Sequence, residues 1–486
     1  MGTMTSAPAA RHTATHAGGG PVPAATRAWK VLFPTWGALA VFVLTGVLAP
    51  LLLVSIHIAQ NPLLSPVDEI THYDYVTRVA QGSVPRFGQY ILPSSVQQLE
   101  CRGIALRSVT AALPPCGTLI PSPATSPLQD TLEQYEAQQP PTYYALTVPL
   151  RWVAVHVFGF SDLTGTRLGG VVWLVAGLAC LWAAARVLGL SVGRTGAGVL
   201  LVATAPLVFV SSSYVSNDAS GILAGGLVLL AGALAWRHPG RWVTPGLALV
   251  GLFVASLKAV DLLAVVVASA LLALAAWSAP GSQDRPPFRA VVTRWSRSGG
   301  ALLVGGLVSA LGWVLASRQL GLIDPVDVPT WAVLRGSANG FTVVVREATS
   351  MWTPLTGAAT PFRSSSGLTS AESARTANLA PVLATVLVYV TLAGGLSGLF
   401  VAPRRWFHWV GLVTVPALFV GGVAMGYVMH YSYKIDPSVG SRYGLALAPF
   451  LVLALVGAVR GRWTVWGLWA LGFLTLIMNC YFMLGT

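Results

Sequence analysis

Stretches of about 20 residues with almost no charge recur along this 486-residue chain, and no other feature restricts its fold as much. A helix needs roughly 20 apolar residues to cross ~30 Å of hydrocarbon, and inside that layer every backbone N–H and C=O must be satisfied within the protein. Candidate spans read at 36–56, 167–185, 196–214, 219–236, 244–257, 261–277, 299–317, 379–400, 409–428, 444–459 and 463–483. Leu, Val, Ala and Gly fill these runs without the period-2 alternation of a transmembrane barrel. The pattern is that of an all-α polytopic membrane protein with about eleven transmembrane helices.

Charge orients the spans. The net charge of +13 comes from arginines scattered in ones and twos between apolar runs, not from a patch, which argues against a nucleic-acid partner. The stretch 142–158, TYYALTVPLRWVAVHVF, carries Pro149, Arg151 and His156 and reads as a helix lying flat at the outer interface. With it flat, fifteen of the 29 basic residues fall in the N-terminal tail and the short inner connections, where Asp284 is the sole acidic residue among 16. If it crossed, the basic connections after it would move outside, against the positive-inside rule. Residues 244–277 read as two short helices broken at Lys258 and Asp261, since one span would reverse everything downstream.

The expected topology puts the N-terminus inside and the C-terminus outside the plasma membrane. Residues 1–33 read as a cytoplasmic tail, disordered over 1–26, and 34–486 as the transmembrane domain. The first run is too long for a signal-peptide core and reads as a retained anchor. Two long polar segments face outside, 57–166 and 319–378. In an oxidising exterior Cys101 and Cys116 can pair, closing a loop of about 15 residues worth roughly 3 kcal/mol, while Cys180 and Cys480 sit inside apolar runs.

In the first outer segment, NPLLSPVDEITHYDYV places Asp68, Glu69, His72 and Asp74 within seven residues. Ser65, Pro66 and Asp68 fit a helix start with Asp68 closing a capping box, which gives that carboxylate a purely structural reading. Capping leaves Glu69 unexplained, and the spacing lets Asp68, Glu69 and His72 share one helix face. Val67, Ile70, Tyr73, Val76 and Ala80 form an opposing apolar stripe able to rest on the membrane. Paired carboxylates serve acid–base chemistry, and Glu69 with His72 also suits a divalent metal such as Mg or Mn.

The other outer signals each have a plain structural reading. Gln139 and the proline pair open the interfacial helix, Arg167 can snorkel, and either Asn217 or Asp218 can cap a helix. Lys434 and Arg442 lie in the last outer connection, where cations are disfavoured; they either pair with Asp436 or hold an anionic head group. One topology brings all of them to the same membrane face.

The motifs SPVDEITHYDYV, QQPPTYYAL, GTRLGG, SNDAS and GSRYGLALAP, in that order over nearly the whole chain, resemble the GT-C superfamily of integral-membrane glycosyltransferases, and within it a bacterial membrane family abundant in actinobacteria. The resemblance implies transfer of a sugar from a polyprenyl-phosphate donor to an envelope glycan, lipid or protein acceptor, with inversion. It implies Asp68 as base with Glu69 beside it, Asp218 as an orienting group, and Arg442, Lys434 and Tyr443 at the carrier phosphate, with Gln139 and Arg167 near the substrate. Many relatives carry His or Lys where Gln139 stands, and the soluble C-terminal domain of several such enzymes has no counterpart here. A lipid or solute transporter and an inert envelope scaffold are the rival classes. A transporter commonly shows internal repeats, which this sequence lacks, and a scaffold needs no convergence of the polar residues.

Overall fold

A computed structural model of the chain describes residues 30–65, 68–103, 133–277, 287–322, 351, 406–427 and 440–484. These residues form an all-α polytopic membrane protein in which eight helices are long and apolar enough to cross a bilayer. They are α1 (Trp36–Gln60), α5 (Asp162–Val187), α8 (Asn217–Arg237), α10 (Ala259–Trp277), α11 (Phe288–Gln319), α12 (Trp409–Tyr427), α13 (Ser441–Ala458) and α14 (Arg462–Tyr481). Two shorter apolar helices, α6 (Val192–Ala203) and α9 (Val243–Leu257), complete the set. The polar segment between α1 and α5 contributes α2 (Glu69–Ala80), α3 (Pro93–Arg102) and α4 (Thr142–His156), with a two-strand pairing of β1 (Gln89–Tyr90) and β2 (Glu133–Gln134).

Ten of the eleven expected spans fall on these helices, and the eleventh, 379–400, lies outside the described residues. The run 196–214 is not one helix: α6 ends at Ala203, and α7 (Pro206–Ser211) restarts at Pro206, which fits a first helical turn because it has no N–H to leave unpaired. The expected break inside 244–277 is present. Lys258 is extended (φ −155°, ψ 129°) between α9 and a 3₁₀ turn at Ala259–Asp261. The stretch 142–158 forms α4, whose 15 residues reach about 22 Å.

Small residues let the helices approach closely. A Cβ on Gly251 would overlap the Leu302 carbonyl of α11, and one on Gly225 would overlap the Ala446 carbonyl at the start of α13. The second contact seats α13 against α8 beside the polar site. Large apolar side chains such as Leu249, Val308, Val420 and Ile477 remain exposed on the outside of the bundle, as hydrocarbon-facing positions would.

One end of the bundle is marked by bonds from Trp182 Nε1 to the Leu32 carbonyl and from Trp469 Nε1 to the Gly193 carbonyl. At the opposite end, the polar segment between α1 and α5 packs its own apolar core onto α5 and α8. Tyr75 and Tyr144 stack at 3.7 Å beside Ile70, Val76, Leu99, Leu163 and Val215. Arg151 of α4 donates to Asp162 at the start of α5 and to Thr77 of α2, joining three helices. Helix α2 therefore does not rest its stripe on the bilayer: Ile70, Tyr73 and Val76 are covered by protein, and nearly the whole helix is buried.

Candidate functional site

Helix α2 begins at Glu69, later than a cap at Ser65 would start it, and the reason is an ion pair. Arg167 of α5 donates from Nε to Glu69 Oε1 and from Nη2 to Oε2, at 2.7 and 2.8 Å, and its remaining donors reach the carbonyls of Asn61 and Leu63. Glu69 also accepts from the backbone N–H groups of Ser65 and Val215. Both side chains are buried, Glu69 accepts four bonds and Arg167 donates four, so this pair locks the end of α1 and the start of α2 to α5. Arg167 thus commits four of its five donors to this lock, and Glu69, with four bonds to its two oxygens, is anchored away from the acid–base role expected of it.

The lock sets the conformation of the residue before the helix. Asp68 sits in the left-handed region (φ 61°, ψ 4°), the one non-glycine residue there among the described residues, and its carboxylate caps nothing. The capping-box reading fails for that reason. Instead Asp68 turns its side chain across the bundle: Oδ1 accepts from the Tyr135 hydroxyl at 2.6 Å and Oδ2 from Arg442 Nη2 at 2.8 Å. A non-glycine residue held at positive φ costs of order 1–3 kcal/mol, and such strain collects at functional sites.

Arg442 lies on the 3₁₀ turn Ser441–Leu447 that opens α13, and its Nη1 reaches Asp218 Oδ2 at 3.4 Å. Asp218 stands at the start of α8, where Ser216 and not Asp218 or Asn217 provides the cap, so capping explains neither residue. Lys258, at the break between α9 and α10, donates to Asp218 Oδ1. The ring of Tyr443 underlies both cations, 4.7 Å from Lys258 Nζ and 5.3 Å from the Arg442 guanidinium carbon. Cations over an aromatic face gain about 0.5–2 kcal/mol as they lose water.

Four segments distant in sequence thus build one polar chamber. Its mouth is the Asp68–Arg442 pair, whose side chains keep 21 and 23 per cent of their exposure, and its floor is the Asp218–Lys258 pair at 5 and 6 per cent. Among the described residues, Asn217 Nδ2 is buried near the floor with no partner. His72 and Glu136 stand next to the chamber, with Nε2 and Oε1 3.8 Å apart, and His72 Nδ1 meets the Tyr144 hydroxyl at 2.8 Å.

The titrating groups of the segment between α1 and α5 divide in opposite directions. Burial pushes the Asp68 carboxyl up, but the Arg442 charge and the Tyr135 and Arg442 hydrogen bonds outweigh it and hold Asp68 below its ordinary value. Glu136, without such donors, is pushed up to about 8 by burial and by the negative charge of Asp68. Burial lowers His72 to about 4 against the pull of Asp68 and Asp218, so its imidazole is neutral at physiological pH.

The chamber contains Asp68, Asp218, Arg442 and Tyr443 of the expected set. The Gln139 carbonyl accepts from the Tyr75 hydroxyl, which belongs to the apolar core beneath the segment, and Lys434 lies outside the described residues. Glu69 and His72 are held by different partners, and no group of three or more His, Cys, Asp or Glu side chains arranged to hold a metal occurs among the described residues. Cys101 is disulfide-bonded and Cys180 and Cys480 are free; Cys116 lies outside the described residues.

Tyr135, Glu136 and Lys258 were missed as site residues. Lys258 was visible as a charge within an apolar run, while the Tyr135–Glu136 pair precedes QQPP with no spacing signal of its own. A separate cavity of about 480 Å³, lined by Leu190, Arg194, Trp236, Leu272 and Phe450, lies roughly 15 Å or more along α8 from Asp218 and belongs to the other end of the bundle. Compared with known proteins, the chain matches no family model and no curated protein.

Proposed function

We propose that the protein is a membrane glycosyltransferase that moves a sugar from a polyprenyl-phosphate donor to an envelope glycan, lipid or protein acceptor at the outer face of the plasma membrane, with its N-terminus inside and C-terminus outside. The observation that carries this reading is the Arg442 guanidinium shared between Asp68 at the mouth and Asp218 on the floor, with Lys258 beneath. One cation at the mouth of a helical bundle with a second beneath it suits a phosphate whose lipid tail stays in the bilayer. A carboxylate within the same guanidinium's reach suits a base.

The chemistry follows from that sharing. When the donor phosphate takes up the Arg442 donors, Asp68 loses the contact that makes it a poor base. Asp68 then removes the proton of an acceptor hydroxyl, the hydroxyl oxygen attacks the anomeric carbon, and the carbon–phosphate oxygen bond breaks with inversion. Arg442 and Lys258 stabilise the charge growing on the departing phosphate, where low dielectric makes them worth more than in water. Asp218 orients both cations. Glu69 and His72 are held by other partners and offer no joint site for a divalent metal, and chelation with EDTA tests metal dependence separately.

The experiment is consumption of a radiolabelled polyprenyl-phosphate sugar by membranes containing the protein, compared with Arg442→Gln. Loss of turnover in a folded variant supports the reading, and unchanged turnover ends it. The broken helix at Lys258 also suits a transporter, which binds substrates at interrupted helices. Lipid-phosphate uptake into proteoliposomes without sugar release would favour that reading.

A further inference from the structure

The mechanism above leaves one buried acid unused. Glu136 lies on the single 3₁₀ turn Glu136–Gln138, immediately after the tyrosine that binds Asp68, and is 6 per cent exposed. Its Oε2 has no hydrogen-bond partner among the described residues, a costly arrangement for a buried carboxyl unless a ligand completes it. Glu133 and Gln134 of β2, just before it, hold the turn in place, and the Gln134 side chain accepts from the Glu136 N–H at 2.9 Å. The turn is therefore held in place, and Oε2 of its buried carboxyl has no partner among the described residues.

Resting on the transferase reading, we infer that Glu136 is a further substrate-binding residue, donating a hydrogen bond through Oε2 to the anionic group that Arg442 and Lys258 hold. The charge balance of the chamber supports this. Asp68 and Asp218 cancel Arg442 and Lys258, so an ionised Glu136 would give the chamber a net negative charge and repel a phosphate. The groups whose charge or polarity acts on it are Asp68 and its partner Tyr135, His72 and Tyr75 of α2, Tyr144 of α4, Asp218 of α8, and Lys258 and Arg442. Burial and Asp68 keep the proton on up to about pH 8, and His72, neutral, does not draw it off. Glu136 thus admits an anion in its acid form and refuses it once ionised.

The test uses the full chain in lipid nanodiscs and farnesyl phosphate as the probe, between pH 7.5 and 9.5, where the probe's own charge is constant. For the native protein, Kd is expected to rise toward tenfold per pH unit above about 8. Glu136→Gln, which keeps a donor and cannot ionise, is expected to bind with a flat profile over the same range. Glu136→Ala is expected to bind about tenfold or more weakly at pH 7.5. A Glu136→Gln variant that keeps the native alkaline loss overturns the inference, as does a Glu136→Ala variant with native affinity. If the alanine variant fails to elute as a folded species, the Glu136→Gln profile alone decides. Arg442→Gln separates the two readings. Native affinity in that variant ends the carrier-phosphate reading itself, whereas its loss of affinity, together with a native alkaline slope in Glu136→Gln, ends only the role given to Glu136.

Discussion

Arg442 donates to Asp68 at 2.8 Å across 374 positions of sequence, joining the head of α2 to the start of α13. Since the same guanidinium reaches Asp218, neither carboxylate can be altered without changing what holds the other. Asp68 is also the residue whose backbone is strained, so its conformation and its charge are set by different neighbours: Glu69 and Arg167 on the helix side, Tyr135 and Arg442 on the chamber side.

Asp68→Asn is expected to lower sugar transfer by a factor of about 10² to 10⁴, the range for loss of a general base. Asparagine tolerates the left-handed backbone, so the variant should elute from gel filtration and melt much as the native protein does. Turnover at the native rate with intact folding would return Asp68 to a structural role.

Breaking the lock should act on stability. Glu69→Gln leaves the buried Arg167 without its counter-charge and is expected to cost about 3–5 kcal/mol in thermal unfolding in detergent. Glu69→Gln combined with Arg167→Met should cost less than the sum of the two single changes. Additive losses would show that the two side chains do not act as a pair.

Topology is open to labelling. Gln81 ends α2 and Arg241 precedes α9, and both are exposed. In a background with Cys180 and Cys480 replaced, Gln81→Cys is expected to react with an impermeant thiol reagent from outside, and Arg241→Cys only after the membrane is opened. The reverse pattern would put the chamber on the cytoplasmic side and remove the proposed substrate.

Stability should fall as pH rises from about 6.5 to 8. Glu136 is raised in the folded protein to about 8, so the unfolded chain holds fewer protons through this window and is favoured as pH rises. His72, lowered to about 4, acts in the opposite sense and only below its ordinary value of 6.5. A melting curve measured across pH 6.5–8 should therefore slope downward, and Glu136→Gln should flatten it. A native slope retained in that variant would assign the effect to another group.

The spans were legible because a hydrocarbon solvent imposes length and apolarity on each helix independently of its neighbours. The break at Lys258 was legible for the same reason, as a charge such a solvent does not accept. The roles of Glu69 and Asp68 were not, because two adjacent carboxylates look alike in sequence and are told apart by Arg167 and Arg442, which lie 98 and 374 residues downstream. Glu136 was hidden similarly: its environment is made by residues of α2, α8 and α13, and no local spacing marks it.

The pairing of Asp218 with Lys258 bears on how the chain is made. Lys258 follows 40 residues after Asp218, whereas Arg442 is added 224 residues after it. During synthesis, the acid at the head of α8 can meet the amine at the neighbouring helix break long before the guanidinium emerges from the ribosome. The early partner spares the half-built protein a solitary charge in oil, and a chain halted between the two events should already be accepted by the bilayer while still lacking its mouth.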